Sequence, residues 1–468
     1  MRITRLQIDM LAAVIAETQA SERPADGLLH QFFRANPQLG ARDRSVVAEG
    51  LFGYLRRKRS LETTADTHSP LLLALATLAK DGHSIRELSP LLSDRESGWL
   101  EQLKAKRVEL SPAIAHDVPD WLWDRLGAEY SDEERDAMTR AWLLPAPLDI
   151  RINPLQTTRE EAQKKLAAAG IDARPTPLSP YGLRVDGRPA LNRVEAFEKG
   201  DIEVQDEGSQ LLAMLVAPTR NEMVVDFCAG AGGKTLLMGA LMHNQGRLYA
   251  FDTSEKRLSN LKPRLKRSGL SNIHPQLLAH ENDAKVKRLA GKIDRVLIDA
   301  PCSGLGTLRR NPDLKWRQTP EAVAELSAKQ RAILESASRL PKPGGRIVYA
   351  TCSMLPEENR DVVNGFLERH PEYFLVPAGE VVRKAGIALE AGDFLELSPH
   401  KNACDGFFAA VLEKKPGTLA RNKGAAPDMI RAADAGERPA ANRDRDPEYN
   451  DEKNCPSDNT VFTTHSIS

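Results

Sequence analysis

Val224-Val-Asp-Phe-Cys-Ala-Gly-Ala-Gly-Gly-Lys-Thr235 decides the fold. Its first residues make a short apolar strand, and the chain then enters a glycine loop at Cys228 that opens a helix. Such a loop lets a ligand approach the backbone closely and points helix N-terminal amides at its polar groups. Two phosphate-binding patterns fail here, each at a required glycine. G-x-x-x-x-G-K-[ST] finds Gly233-Lys-Thr but begins on Cys228. G-x-G-x-x-G finds Gly230 and Gly232 but ends on Thr235.

Working outward, Arg247-Leu-Tyr-Ala-Phe-Asp252 reads as a second strand. An acidic residue about 20 positions beyond a glycine loop is the usual ligand of a ribose hydroxyl, which makes Asp252 a candidate. A helix cap before Ser254-Glu-Lys-Arg is its plain alternative. Ile293 to Ala300 and Arg346 to Thr351 are further strands, and Gly406-Phe-Phe-Ala-Ala-Val-Leu-Glu resembles a terminal one. Near-continuous apolar strands alternating with helices predict an α/β fold, with a parallel sheet covered on both faces, over residues 217–415.

Two cysteines stand at the carboxyl ends of two of these strands. Asp299-Ala-Pro-Cys302-Ser-Gly follows one, and Ala350-Thr-Cys352-Ser follows the other. Ligands bind at that end of an α/β sheet, so the two thiols are expected to face one pocket. A single cysteine at such a junction is usually inert. Two of them, beside a glycine loop and Asp299, reverse that expectation. Lys315, Arg309 and Arg310 are candidates for the positive field a thiolate needs, or for holding phosphates.

The remaining segments flank this domain. Residues 1–140 carry helical periodicity, with Leu6, Met10, Leu11, Val14 and Ile15 on one face and Val46, Val47, Leu51 and Leu55 on another. The second set ends in Arg56-Arg-Lys-Arg59, either a solvated helix end or an RNA contact. Residues 145–216 read as a small α+β unit, with Thr157 or Thr158 capping a helix between two strands. Residues 416–468 lack apolar periodicity and read as a disordered tail.

Composition narrows the classes. The 468 residues carry 65 basic and 65 acidic side chains, so a local basic patch is permitted but wholesale nucleic-acid coating is not expected. Five cysteines in such a length form no disulfide framework and fit a reducing cytoplasm. The ten histidines show no metal-ligand spacing. The longest apolar stretch, Leu71 to Ala79, is far short of the ~20 residues a membrane span needs. No signal peptide is read at the start, and a monomer is the default.

The segments DFCAGAGGKT (226–235), FDTSEKRL (251–258), DRVLIDAPCSGLGTLRRNPDLKWR (294–317) and YATCSMLPEEN (349–359), with QDEGSQ (205–210) and DGFFAAVLE (405–413), resemble the bacterial Sun, or Fmu, branch of the Nol/Nop/Sun family of RNA cytosine-C5 methyltransferases. The resemblance implies a Rossmann-like class I methyltransferase domain using S-adenosyl-L-methionine. It implies Cys352 as the nucleophile on C6 of cytosine, Cys302 as the thiol that helps release the product, and Asp299 near both the base and the methyl donor. Cys228, Ala229, Gly230, Ala231, Gly232, Gly233 and Lys234 would hold the methionine part, Asp252 the ribose, and Asp283 would lie near the adenine. Arg257 would help order the loop. Ala231 departs from the proline frequent in the family. Spacing alone does not choose between the thiols, because in DNA cytosine methyltransferases the Pro-Cys thiol attacks, which here is Cys302.

The N-terminal segment is similar to the branch's NusB-like RNA-binding domain, which favours small-subunit (16S) ribosomal RNA as substrate. Two other functions stay open: a catalytically inactive RNA-binding or ribosome-assembly module, and a DNA cytosine methyltransferase.

Overall fold

The computed structural model describes residues 3–417. The tail reading of 416–468 therefore falls outside the described residues except for its first two.

Ten α-helices run between Arg5 and Trp142. The first, Arg5–Gln19, starts on a capping box in which Thr4 and Gln7 exchange hydrogen bonds. Its Ile8, Leu11, Val14 and Ile15 are fully buried against Val47, Leu51 and the helix Pro70–Lys80. The helices Asp120–Glu129 and Asp132–Trp142 belong to a different core. Val118, Leu122, Leu126, Met138 and Trp142 pack on Leu305, Leu308, Met354 and Leu355, which follow the two cysteines in the chain.

Next comes a four-stranded antiparallel sheet of β1 (Leu148–Ile152), β2 (Ala173–Pro175), β3 (Gly182–Val185) and β4 (Ile202–Val204), in the order β2-β3-β1-β4. Thr158 caps its helix, Arg159–Ala168, with Glu161 completing the box. The sequence reading found β1, the helix and, after the turn at Gly170, β2, but missed β3 and β4. At four and three residues these strands are too short to show alternation.

The large sheet comprises β5 (Met223–Asp226), β6 (Arg247–Asp252), β7 (Ile273–Leu277), β8 (Ile293–Asp299), β9 (Pro341–Thr351), β10 (Tyr373–Val376), β11 (Leu395–Leu397) and β12 (Phe407–Lys414). Its order is β10-β12-β9-β8-β5-β6-β7, with β11 on β12. β5 to β9 are parallel, while β12 runs antiparallel to β9. Alternation splits each strand between two cores. Val224, Leu248, Leu297 and Val348 face one side, and Val225, Phe251, Val296, Ile298 and Ile347 face the other. The chain leaves β5 toward β6 and returns through β8 on its other flank. The crevice beyond the carboxyl ends of β5 and β8 is therefore a topological switch point, where such sheets bind ligands.

Candidate active site

The glycine loop spans that crevice. Gly230 and Gly232 have φ of 55° and 84°, in the left-handed region that glycine enters freely. A Cβ on Gly232 would lie 2.1 Å from Leu261 Cδ1. The amide of Ala229 donates to Phe251 O at 2.8 Å, and that of Gly230 donates to Asp252 Oδ2 at 2.8 Å. Asp252 Oδ1 accepts from the Ser254 amide at 2.7 Å, while Ser254 itself caps the helix Glu255–Ser268. Asp252 thus fixes the loop against the end of β6. Asp283 caps the helix Ala284–Arg288, accepting from the Ala279 and Lys285 amides, which hold its carboxyl below the usual range.

Lys234 and Asp299 join the loop to β8. Lys234 Nζ lies 2.7 Å from Asp299 Oδ2, and the lysine side chain is 6% exposed. Burial opposes its charge, but Asp299 outweighs that, and Cys352 and Asp226 act the same way, so its pKa is raised. Deep burial pushes the Asp226 carboxyl up to about 7 although Thr235 donates to it at 2.7 Å.

Cys302 and Cys352 do face one another, as their strand-end positions predicted. Their sulfurs are 3.2 Å apart and unbonded, and the Cys352 amide points at Cys302 Sγ at 3.3 Å. The hydrogen bond with Cys352 and burial push the Cys302 thiol well up, with Glu358 adding to it. Burial likewise raises Cys228.

Glu358 is the residue that motif reading passed over. Its fully buried carboxylate accepts from the Ser303 amide at 2.8 Å, Ser303 Oγ at 2.5 Å, Gln330 Nε2 at 3.0 Å and Ser353 Oγ. Ser303 and Ser353 are the neighbours of the two cysteines, so one carboxylate ties both thiol loops together. The only sequence signal was an acidic residue shortly after Cys352, which a helix start explains as well.

Three expected cations are elsewhere. Lys315 is buried with Nζ donating to Arg56 O at 2.8 Å, and burial lowers its pKa to about 7. Arg309 donates to Ala403 O, and Arg310 pairs with Asp206 and Asp405. All three serve packing between segments, and Lys234 is the cation beside the thiols. In the run from Arg56 to Arg59, the three arginines are engaged. Arg56 donates to Arg309 O, Arg57 pairs with Asp81 and Arg59 with Asp120. Arg257 is exposed, whereas Arg264 holds the Ala231 carbonyl at 2.8 Å. Arg151 of β1 reaches the Gly233 carbonyl at 3.4 Å, so the small sheet braces the loop too.

Residues 213–413 match the family model described as 16S rRNA methyltransferase RsmB/F, and residues 118–192 match the RsmF/B-like ferredoxin-like domain. The chain is 32% identical over 449 residues to the probable ribosomal RNA small subunit methyltransferase B of Bacillus subtilis, covering 87% of this chain and 98% of that one. It is also 32% identical over 425 residues to ribosomal RNA small subunit methyltransferase B of Yersinia pseudotuberculosis, covering 86% and 94%. The chain belongs to the RsmB/F family.

It is thus an rRNA methyltransferase of the Nol/Nop/Sun group, and the resemblance read from its motifs holds. The crystal structure of the protein PH0851 has the same fold, with a TM-score of 0.71 at 27% identity over 88% of this chain and all of that one. The cofactor of an RsmB/F methyltransferase is S-adenosylmethionine. Among the described residues, no cluster of His, Cys, Asp or Glu is arranged to hold a metal ion, and no helix is long and apolar enough to cross a membrane.

Proposed function

We propose that this RsmB/F protein methylates C5 of a cytosine in small-subunit ribosomal RNA through a covalent cysteine adduct. The observation that carries the reading is the pair of sulfurs 3.2 Å apart at the switch point, beside the Lys234–Asp299 pair. The crevice suits S-adenosylmethionine, because its glycine loop follows the carboxyl end of β5 and opens the helix Gly233–Leu241, where a ligand can approach the backbone closely. Residues 228–234 would hold the methionine part, Asp252 the ribose, and Asp283 would stand near the adenine. When bound, that cofactor supplies an electrophilic methyl group.

The protein's own residues do the rest. C5 of cytosine is a poor nucleophile until a thiolate adds to C6 and makes C5 enamine-like. Cys352 Sγ forms that bond, with the Cys302 S–H and the Lys234 ammonium stabilising its negative charge beforehand. In this reading Lys234 donates to the cytosine ring as negative charge develops at N3, and Asp299 accepts from the ring's amino group. After C5 takes the methyl group, its proton leaves to a base, the C5–C6 double bond re-forms and the Cys352 thiolate is expelled. Cys302, kept protonated by its surroundings, assists that release. The choice of Cys352 over Cys302 as nucleophile rests on the family resemblance, because the 3.2 Å contact between the sulfurs is the same for both. Since a base inside a helix is out of reach, the target is flipped or single-stranded. The helical and α+β segments would add phosphate contacts, giving salt-sensitive binding.

The test is transfer of a labelled methyl group to unmodified small-subunit rRNA and to DNA, followed by nucleoside analysis. Label in 5-methylcytidine from RNA is expected. Label in another nucleoside, or in DNA alone, overturns the reading.

A further inference from the structure

A cleft of about 370 Å3 opens where the N-terminal helices meet the catalytic domain. Lys58, Trp121, Lys315, Trp316 and Gln318 are among its walls. It falls within the range of about 300–1,000 Å3 typical of small-ligand sites. Three features define its chemistry.

Its aromatic surface is large, since both indoles are only half-buried. Trp316 is fixed in place, with Nε1 donating to Leu55 O at 2.7 Å. Its charge is also polarised. Glu62 and Asp120 line the cleft, but Tyr54 donates to Glu62 and Arg59 pairs with Asp120, so both carboxylates are engaged. Lys58 has no ion-pair partner among the described residues, and its Nζ rests 5.9 Å from the Trp316 ring. Finally, the cleft adjoins the active site. Gln318 Nε2 donates to Ser303 O at 2.9 Å, and Ser303 follows Cys302.

Aromatic faces with an unpaired cation form the standard receptor for an unstacked nucleotide. We propose that this cleft receives a single-stranded nucleotide of the substrate RNA close to the target cytosine, its base against Trp121 and Trp316 and its phosphate beside Lys58. The inference rests on the reading above that the substrate is RNA cytosine. A flipped target leaves its flanking nucleotides without their stacking partners, and the cleft supplies a replacement surface one hydrogen bond from the thiol loop.

The experiment uses the full chain and an RNA oligonucleotide containing the methylated cytosine, with 4-thiouridine placed in turn at each flanking position. Irradiation with S-adenosylmethionine analogue present is followed by peptide mapping, and the salt dependence of RNA binding is measured for wild type and Lys58→Ala. A crosslink from at least one flanking position to Trp121 or Trp316 is expected. Lys58→Ala should flatten the slope of log affinity against log salt by about 0.7, the share of one single-strand phosphate. Its loss should appear in KM for RNA rather than in kcat, which a merely structural lysine would not produce. If the oligonucleotide is methylated but every crosslink maps elsewhere and the slope is unchanged, the cleft is not a nucleotide site. If neither it nor whole rRNA is methylated by the wild type, the RNA-cytosine reading itself fails and takes the cleft with it.

Discussion

At the scale of single residues, the site depends on a few buried charges. Lys234 is the buried cation paired with Asp299, so Lys234→Gln should remove the positive charge available to the negative charge that develops in the reaction. kcat/KM is expected to fall about tenfold with S-adenosylmethionine affinity preserved, as single-turnover kinetics and equilibrium binding would show. A loss confined to cofactor affinity would mean that Lys234 serves cofactor binding alone. Glu358→Gln keeps shape but removes charge from four hydrogen bonds, and should slow adduct formation with S-adenosylmethionine affinity preserved. Equilibrium binding and single-turnover kinetics separate those effects. Burial raises Asp226 to about 7, against about 3.9 in an unfolded chain. The folded state therefore binds the proton more tightly between these values, and stability is lost as pH rises through 7. Asp226→Asn abolishes that loss, so its advantage over wild type should grow by roughly 2–3 kcal/mol from pH 5 to pH 8. Thermal unfolding at the two pH values checks this, and an unchanged difference would contradict it. The cysteine pairing was legible in the sequence, because strand ends are recognisable and parallel strands align them. Glu358 was not legible, because which carboxylate points inward there depends on a short turn that has no periodicity.

At the scale of elements, the glycine loop is held from three sides: by Asp252 at the end of β6, by Arg264 of the helix Glu255–Ser268, and by Arg151 of β1. The loop's place after β5 could be read from Val224 to Thr235 directly, since an apolar run ending in glycines has few alternatives. Its braces could not, because Arg151 and Arg264 come from separate segments that only the tertiary fold unites. The same holds for QDEGSQ, whose residues do structural work. Gln205 accepts from Arg151 at 2.5 Å, and Glu207 accepts from the Leu178 and Ser179 amides. Gly232→Ala would put a Cβ into Leu261 at a positive φ, a strain of about 1–3 kcal/mol. S-adenosylmethionine affinity is expected to fall at least tenfold, as calorimetric titration would show, and unchanged affinity would mean that the loop is not the cofactor cradle.

At the scale of the whole molecule, the helices and the catalytic sheet act as one body. Segment Arg309–Arg317 sends Lys315 and Trp316 to the carbonyls of Arg56 and Leu55, and Asp313 accepts from the Ala25 amide. Lys315, Arg309 and Arg310 read as candidates for a thiolate's field or for phosphates because sequence counts charges without showing partners. Trp142, 1% exposed, lies in the core shared with the loops after both cysteines. Trp142→Ala should cost about 3–5 kcal/mol and lower the thermal midpoint, because so large a cavity cannot fully collapse. The central claim concerns the two thiols, and the most direct measurement is a denaturing gel for protein–RNA adducts. Wild type, Cys302→Ala and Cys352→Ala are each mixed with S-adenosylmethionine and unmodified small-subunit rRNA. An adduct that accumulates with Cys302→Ala and is missing with Cys352→Ala is the predicted result. An adduct that survives loss of Cys352 and vanishes with loss of Cys302 would contradict the assignment and exchange their roles.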